Sequence, residues 1–267
     1  MDPSIDWKRV RGALFQKSHR ESFAEARVLE VLDVLPKIIA LCGNYSQSRK
    51  MAVRIGQTLL AQERPEIIVP TCPAYPHRGG HYHRIWTLGS GVSLLTRLHI
   101  PLLEQLVTLI PSLRVTILIA DTEAEDRVIR KATGLTREAF IARVHSTEAA
   151  TQACVKANGW DVKLLTHFMP TFFQDRQQTM QWIVSKKEFH PQIRADTETR
   201  RPFYKLYYPN GSFHRMMDRT IKVAADYMVL GCEAAKRNII IVNHTTTSLA
   251  WYLRTEAAFL HNPIRAY

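Results

Sequence analysis

The side chains best suited to chemistry stand where apolar runs break off. Cys42, Ser46 and Ser48 follow the apolar residues of KIIALCGNYSQSRKM (37–51), Cys72 follows EIIVPT, and His244 follows NIIIVN. A thiol or hydroxyl beside a base can act as a nucleophile, and a histidine is the commonest proton carrier. Cys42, Cys72, Ser46 and Ser48 are therefore the candidate nucleophiles, and His244 is the candidate acid or base. Polar groups collect at the same kind of position. Gly43 and Asn44 follow the first run, Thr71 and Tyr75 the second, Asp121, Thr122 and Glu123 the run VTILIA, and Asn243 with Thr245 to Thr247 the last. Each taken singly is an ordinary turn or cap residue. Their convergence on strand ends points to one binding site.

Other motifs narrow the chemistry. The chain has neither GxGxxG nor GxxxxGK[ST], so neither the dinucleotide fingerprint nor the phosphate loop is present. LGSGVSLL (88–95) is a lone glycine turn and reads as structural. In HRGGHYHR (77–84) the spacing of His77, His81 and His83 fits no standard metal site and no carboxylate completes one, so the stretch reads as a basic loop whose Arg78 and Arg84 touch phosphate. Four dispersed cysteines, at 42, 72, 154 and 232, make neither a CxxC pair nor a disulfide framework. The reading calls for no metal and no cofactor.

These residues need elements to position them. A helix is expected over 21–35, a strand over Ile38 to Leu41, and a helix from Ser48 to Gln62 with apolar spacing at Met51, Val53, Ile55, Leu59 and Leu60. A second strand centres on Ile67 to Val69, with Pro70, Pro73 and Pro76 forcing an irregular exit. A helix kinked at Pro101 leads to a third strand, Val115 to Ala120, and a short strand is expected over Asp161 to Leu165. YYPNGSF (207–213) reads as a turn between short extended pieces. Arg219 to Ala235 is a helix, Ile239 to Val242 the last strand, and a last helix is N-capped from within Thr245 to Ser248. Strands alternating with helices argue for an α/β protein with a doubly wound, mostly parallel sheet and helices on both faces, in one domain over 1–267 with a basic helical extension over 1–36. In such sheets ligands bind beyond the carboxyl ends of the strands, where the polar groups above collect.

Charge points to the partner. Thirty-six Lys and Arg against 24 Asp and Glu give +12, a field that attracts polyanions. Short basic clusters at Lys8, Arg9 and Arg11, at Lys186 and Lys187, at Arg200 and Arg201, and at Lys236 and Arg237 join Arg78 and Arg84 as candidate RNA contacts. No apolar run approaches the roughly 20 residues a membrane helix needs and the N-terminus has no apolar signal core, so a cytoplasmic protein is expected.

Two resemblances follow. The order strand, Gly43-Asn44, hydroxyl-rich turn, helix, together with ADYMVLGCEAAKRNIIIVNHTTT (224–247), is similar to the tRNA-dependent cyclodipeptide synthases, Rossmann-like enzymes related to class I aminoacyl-tRNA synthetase catalytic domains. The resemblance implies an aminoacyltransferase that takes aminoacyl-tRNA and, through an acyl-enzyme, makes a small dipeptide-derived secondary metabolite. It aligns Tyr227 with the catalytic tyrosine, Glu233 with the catalytic glutamate and His244 with the histidine of a Tyr-His pair, Asn243 replacing the tyrosine. Leu41 stands at the acyl-accepting serine, so Cys42 or Ser46 takes that role, while Tyr252 and Glu256 have the family's Tyr-Glu spacing and join Gly43, Asn44, Thr71, Tyr75, Asp121 and Asn243 as substrate contacts. The middle of the chain, VPTCPAYP through VTILIAD (69–121), resembles isocyanide synthases of the pyoverdine and dityrosine type, with Asp121 and Leu88-Gly89 as matches. That likeness implies an amino acid joined to a sugar phosphate served by Arg130 and Lys131. A non-catalytic RNA-binding relative is the third reading.

Overall fold

In this computed structural model the structure describes residues 33–38, 52–58, 64–73, 96, 99–127, 130–131, 134–207, 210–243 and 259–261. The runs EIIVPT and RVTILI form strands β1 (Glu66–Thr71) and β2 (Arg114–Ile119), followed by β3 (Asp161–Leu164), β4 (Ile240–Asn243) and β5 (Phe259–His261). All are parallel, in the order β3-β2-β1-β4-β5. The chain winds outward from β1 to β3, then returns to lay β4 against the other edge of β1, so that Ile67 pairs with Val115 on one side and Ile240 on the other. This is the order of a Rossmann-like doubly wound sheet, and it reverses between β1 and β4.

Both faces of the sheet are covered, which is why β1 is an almost unbroken apolar run. Ile67, Val69, Ile117, Ile119 and Val242 face one layer, built from α1 (Ile100–Leu109), α2 (Arg137–Val155) and the helical segments 33–38 and 52–58. The alternate residues Ile68, Leu118 and Ile241 face the other, built from α3 (Leu165–Phe168), α4 (Phe172–Ser185) and α6 (Phe213–Lys236). Each such side chain, fully buried, contributes about 1.5–3 kcal/mol. A satellite core joins Ile183 of α4 and Ile193 of α5 (His190–Tyr207) to Ala224, Ala225 and Met228 of α6. Beside it, Thr197 Oγ1 donates to Thr220 Oγ1 at 2.9 Å and Tyr204 Oη meets the same hydroxyl at 3.2 Å.

Several elements depart from expectation. Ile38, expected to open a strand, is helical; it and Leu35, three residues apart, bury one helical stripe. The pieces joined here are helices and not strands: Tyr207 ends α5, and Phe213 opens α6, which Ser212 caps by accepting from the Arg215 backbone N–H at 3.4 Å. β4 is not the last strand, because β5 follows it. Three long helices carried little signal. Helix α2 buries Phe140, Val144, Thr147, Thr151 and Val155 at helical spacing, but two of these five are threonines, and Pro202 inside α5 disguised that helix. No helix among the described residues is long and apolar enough to cross a membrane.

The hinge from α6 into β4 turns on Asn238, whose φ of 59° is left-handed. Its backbone N–H bonds to Ala235 O, and its side chain donates to the buried Thr58 Oγ1 at 2.9 Å, tying the two helical layers together. Asn238→Ala is expected to cost about 1–3 kcal/mol, from the unfavourable backbone region plus the lost bond. Asn238→Gly, which keeps the backbone freedom, should cost less in the same urea titration.

Candidate functional site

In sheets of this order the ligand crevice lies outside the carboxyl ends of the strands where the order reverses, here the ends of β1 and β4, marked by Thr71 and Cys72 on one strand and Asn243 on the other. The turn of 3₁₀ helix after β2, Asp121–Glu125, adds its carboxylates at the same end. Among the described residues β1 and β4 pair directly, so no strand lies between them at the crevice.

Helix α6 supplies the rest, because it is longer than the sheet is deep. Its 24 residues span about 36 Å, against about 13 Å for the four of β4. Its last turns pack Val229, Leu230 and Ala234 on the sheet, and its first half overhangs the carboxyl ends. There Arg219, Lys222 and Asp226 share one helical face at i, i+3 and i+7. Arg219 Nη1 and Lys222 Nζ both donate to Asp126 Oδ2, the lysine at 2.7 Å. The Asp126 side chain is 5% exposed and that of Arg219 12%. A turn further on, Asp226 faces Arg176 of α4 at 3.5 Å, with the guanidinium stacked 4.8 Å over the Phe173 ring.

Burial and pairing set the charges. Burial works against the Arg219 guanidinium, but Asp126, with Tyr204, Asp226 and Glu123 behind it, outweighs burial and holds its pKa above the ordinary value. For Lys222 burial wins, helped by the Arg219 cation, and its pKa is lowered despite Asp126. Burial lifts the Asp226 carboxyl to about 6 against the pull of Arg176, Lys222 and Arg219. Burial, reinforced by the charge and hydrogen bond of Glu123, pushes the Cys72 thiol well up. The ends of β1 and β2 thus meet α6 in a desolvated, mixed-charge patch able to bind a charged ligand group and move a proton.

Asp226 yields a pH test. Its folded pKa, about 6, lies above the ordinary 3.8, so the native state binds the proton more tightly and stability declines as pH rises from 3.8 through about 6. A net shift of that size is equivalent to about 3 kcal/mol. With 30% of the side chain exposed, solvent screening brings the expectation to about 1–2 kcal/mol. Asp226→Asn should exceed the wild type by that amount in urea titrations at pH well above 6 and lose the advantage below the ordinary carboxylate range. An advantage unchanged across that window would show that the carboxyl carries no such burden.

Of the residues read from the sequence, Thr71 and Asp121 stand at the carboxyl end, and Asn243 closes β4 there. Asp121 is occupied: its carboxylate accepts from the Thr166 backbone N–H at 3.1 Å and from the Thr166 hydroxyl, anchoring the start of α3. Tyr227 lies inside α6, packed between the sheet-facing and satellite cores. Glu233 is not brought to the crevice. Six residues on, about 9 Å along the helix, it takes Arg237 Nε at 2.6 Å and sits 3.9 Å from Lys236. Arg237 in turn donates to Phe168 O and stacks 4.5 Å over the Phe168 ring. It lines a cleft of about 510 Å³ at the opposite, amino end of the sheet, with Glu66, Arg114, Asp161 and Lys163.

Lys186 and Lys187 are exposed just beyond α4, whereas Arg200 is partly buried and Arg201 pairs with Glu198 at 3.2 Å and lies 5.9 Å over the Phe213 ring. Lys8, Arg9, Arg11, Cys42, Gly43, Asn44, Ser46, Tyr75, Arg78, Arg84, His244, Tyr252 and Glu256 lie outside the described residues. Sequence reasoning missed Asp126, Arg176, Arg219, Lys222 and Asp226. The signal for three of them was present, two cations and a carboxylate recurring on one face of an otherwise recognised helix. No protein-family model, curated protein or solved structure matches the chain.

Proposed function

We propose that the protein is an aminoacyl-tRNA-dependent transferase of cyclodipeptide synthase-like type, forming a small peptide-derived product through an acyl-enzyme held in the carboxyl-end crevice. One observation carries the reading. A Rossmann-like sheet reverses its strand order at β1 and β4, and outside that reversal stand a thiol, carboxylates and the desolvated Arg219–Asp126–Lys222 cluster. A charge of +12 supports a polyanionic donor such as tRNA, and the exposed Lys186 and Lys187 are available to its phosphates. On this reading the cation cluster orients the aminoacyl end and the strand-end nucleophile takes the acyl group. Tyr227 and His244 handle protons, the roles that the resemblance implies.

The test is incubation with a total aminoacyl-tRNA pool and mass spectrometry for small amides. A cyclic or linear dipeptide that disappears after RNase treatment is the expected result. Product from amino acid plus sugar phosphate without RNA would favour the isocyanide synthase, and salt-sensitive tRNA binding with no product a non-catalytic relative. Cys42→Ala, Ser46→Ala and Tyr227→Phe check the residues that the resemblance assigns: activity untouched in all three folded variants would remove them from the mechanism. His244→Ala should act on rate; a loss of tRNA affinity alone would make it a binding residue.

A further inference from the structure

One pair at the crevice takes no direct part in the ion cluster. Cys72 is the first residue after β1, half-buried, at the strand bordering the reversal of order. Glu123 sits in the turn after β2, the neighbour of β1, where the Ala120 backbone N–H donates to Thr71 O at 2.9 Å, so the carboxylate and the thiol come from adjoining strand ends. One residue back, Thr71 is 2% exposed and its Oγ1 has no hydrogen-bond partner among the described residues. A buried hydroxyl left unmet costs stability unless something fills it, and a strand end at a ligand crevice is where a ligand would. His99, fully buried, precedes α1, whose course antiparallel to the strands starts it at this same end of the sheet.

From the juxtaposition of the Cys72 thiol, the Glu123 carboxylate and the unmet Thr71 hydroxyl at the central strand end, we infer that Cys72 is the acyl-accepting nucleophile and Glu123 its general base, in place of Cys42 or Ser46. This rests on the aminoacyl-transfer reading above. Cys72 Sγ bonds to the carbonyl carbon of the aminoacyl ester while its proton passes to Glu123. The tetrahedral intermediate collapses with cleavage of the carbon–oxygen bond to the terminal ribose, whose oxygen leaves with the proton returned by Glu123. The products of this half are a Cys72 thioester and deacylated RNA. The α-amine of a second aminoacyl ester then attacks the thioester, its proton moving by way of Glu123 to the departing sulfur, and an amide replaces the thioester with the thiol restored.

Two acyl donors test the pair separately from the RNA. Full-length protein is exposed to the aminoacyl-tRNA pool and, in parallel, to p-nitrophenyl esters of free amino acids, and the hydroxylamine-sensitive adduct is located by peptide mass spectrometry. The expected result is acylation of Cys72 by both donors, loss of the adduct in Cys72→Ala, and an acylation rate about 100-fold lower in Glu123→Gln, within the range for loss of a general base. Cys72→Ser, which keeps shape and nucleophilic type, guards against a folding artefact and should form an ester of lower hydroxylamine sensitivity at the same position. Acylation of Cys72 by the p-nitrophenyl esters but not by aminoacyl-tRNA would uphold the pair and remove the tRNA reading. Product from aminoacyl-tRNA with the adduct elsewhere, or undiminished in Cys72→Ala, would overturn the pair and leave that reading standing. No adduct at Cys72 from either donor, or an acylation rate indifferent to Glu123→Gln, overturns the inference.

Discussion

Asp126→Asn is expected to destabilise the protein by about 3–5 kcal/mol, the loss found when one member of a buried ion cluster is removed. Arg219 and Lys222 both spend their charge on a single oxygen of Asp126, whose side chain is 5% exposed. The asparagine amide is close in size but neutral, so two cations are left facing each other in a region largely closed to water. The loss should appear as a lower midpoint in urea with an unchanged slope, since the area exposed on unfolding is the same. A second variant separates charge from shape. Asp126→Leu combined with Arg219→Met and Lys222→Met removes the whole cluster, and apolar replacement of buried ion clusters is often neutral or stabilising. Recovery of stability with loss of activity would assign the cluster to function. If Asp126→Asn costs under about 1 kcal/mol, the range of exposed pairs, the cluster is solvated and the electrostatic account of the crevice fails.

Phe172→Ala should cost about 3–5 kcal/mol and Phe173→Ala under about 1 kcal/mol. The two residues are adjacent and chemically identical. Phe172 is 1% exposed, packed with Phe168 and Val229 against Ile68 and Leu118, whereas Phe173 is 37% exposed. What Phe173 loses is chiefly its stacking with Arg176, an interaction of about 0.5–1 kcal/mol at exposed sites. Equal losses in thermal unfolding would mean that α4 is rotated from the position described.

Those two phenylalanines show how far local pattern reaches. The strands β1, β2 and β4 were legible because each is a short β-branched or aliphatic run, as burial on both faces demands, whereas the edge strand β3, Asp-Val-Lys-Leu, showed only the alternation of a half-exposed strand. Helix α6 was legible for the same kind of reason, an apolar stripe of sufficient length. Helix α2 was not, because threonines serve in its stripe, and PNGS misled, because Asn-Gly suits a turn between helices as well as one between strands.

The sequence by itself determined an α/β protein with a parallel sheet and polar residues at the strand ends, since apolar run length and hydroxyl, amide and carboxylate placement are local properties. It also determined the positive charge. Only the tertiary structure decided that β1 is central, that order reverses between β1 and β4, that Glu233 belongs to the amino end and that Cys72 meets Glu123. Asp126 and Arg219 are 93 residues apart. Their contact follows from the order in which strands are laid down and from a helix that outruns the sheet, and neither property is written in the period of any single segment.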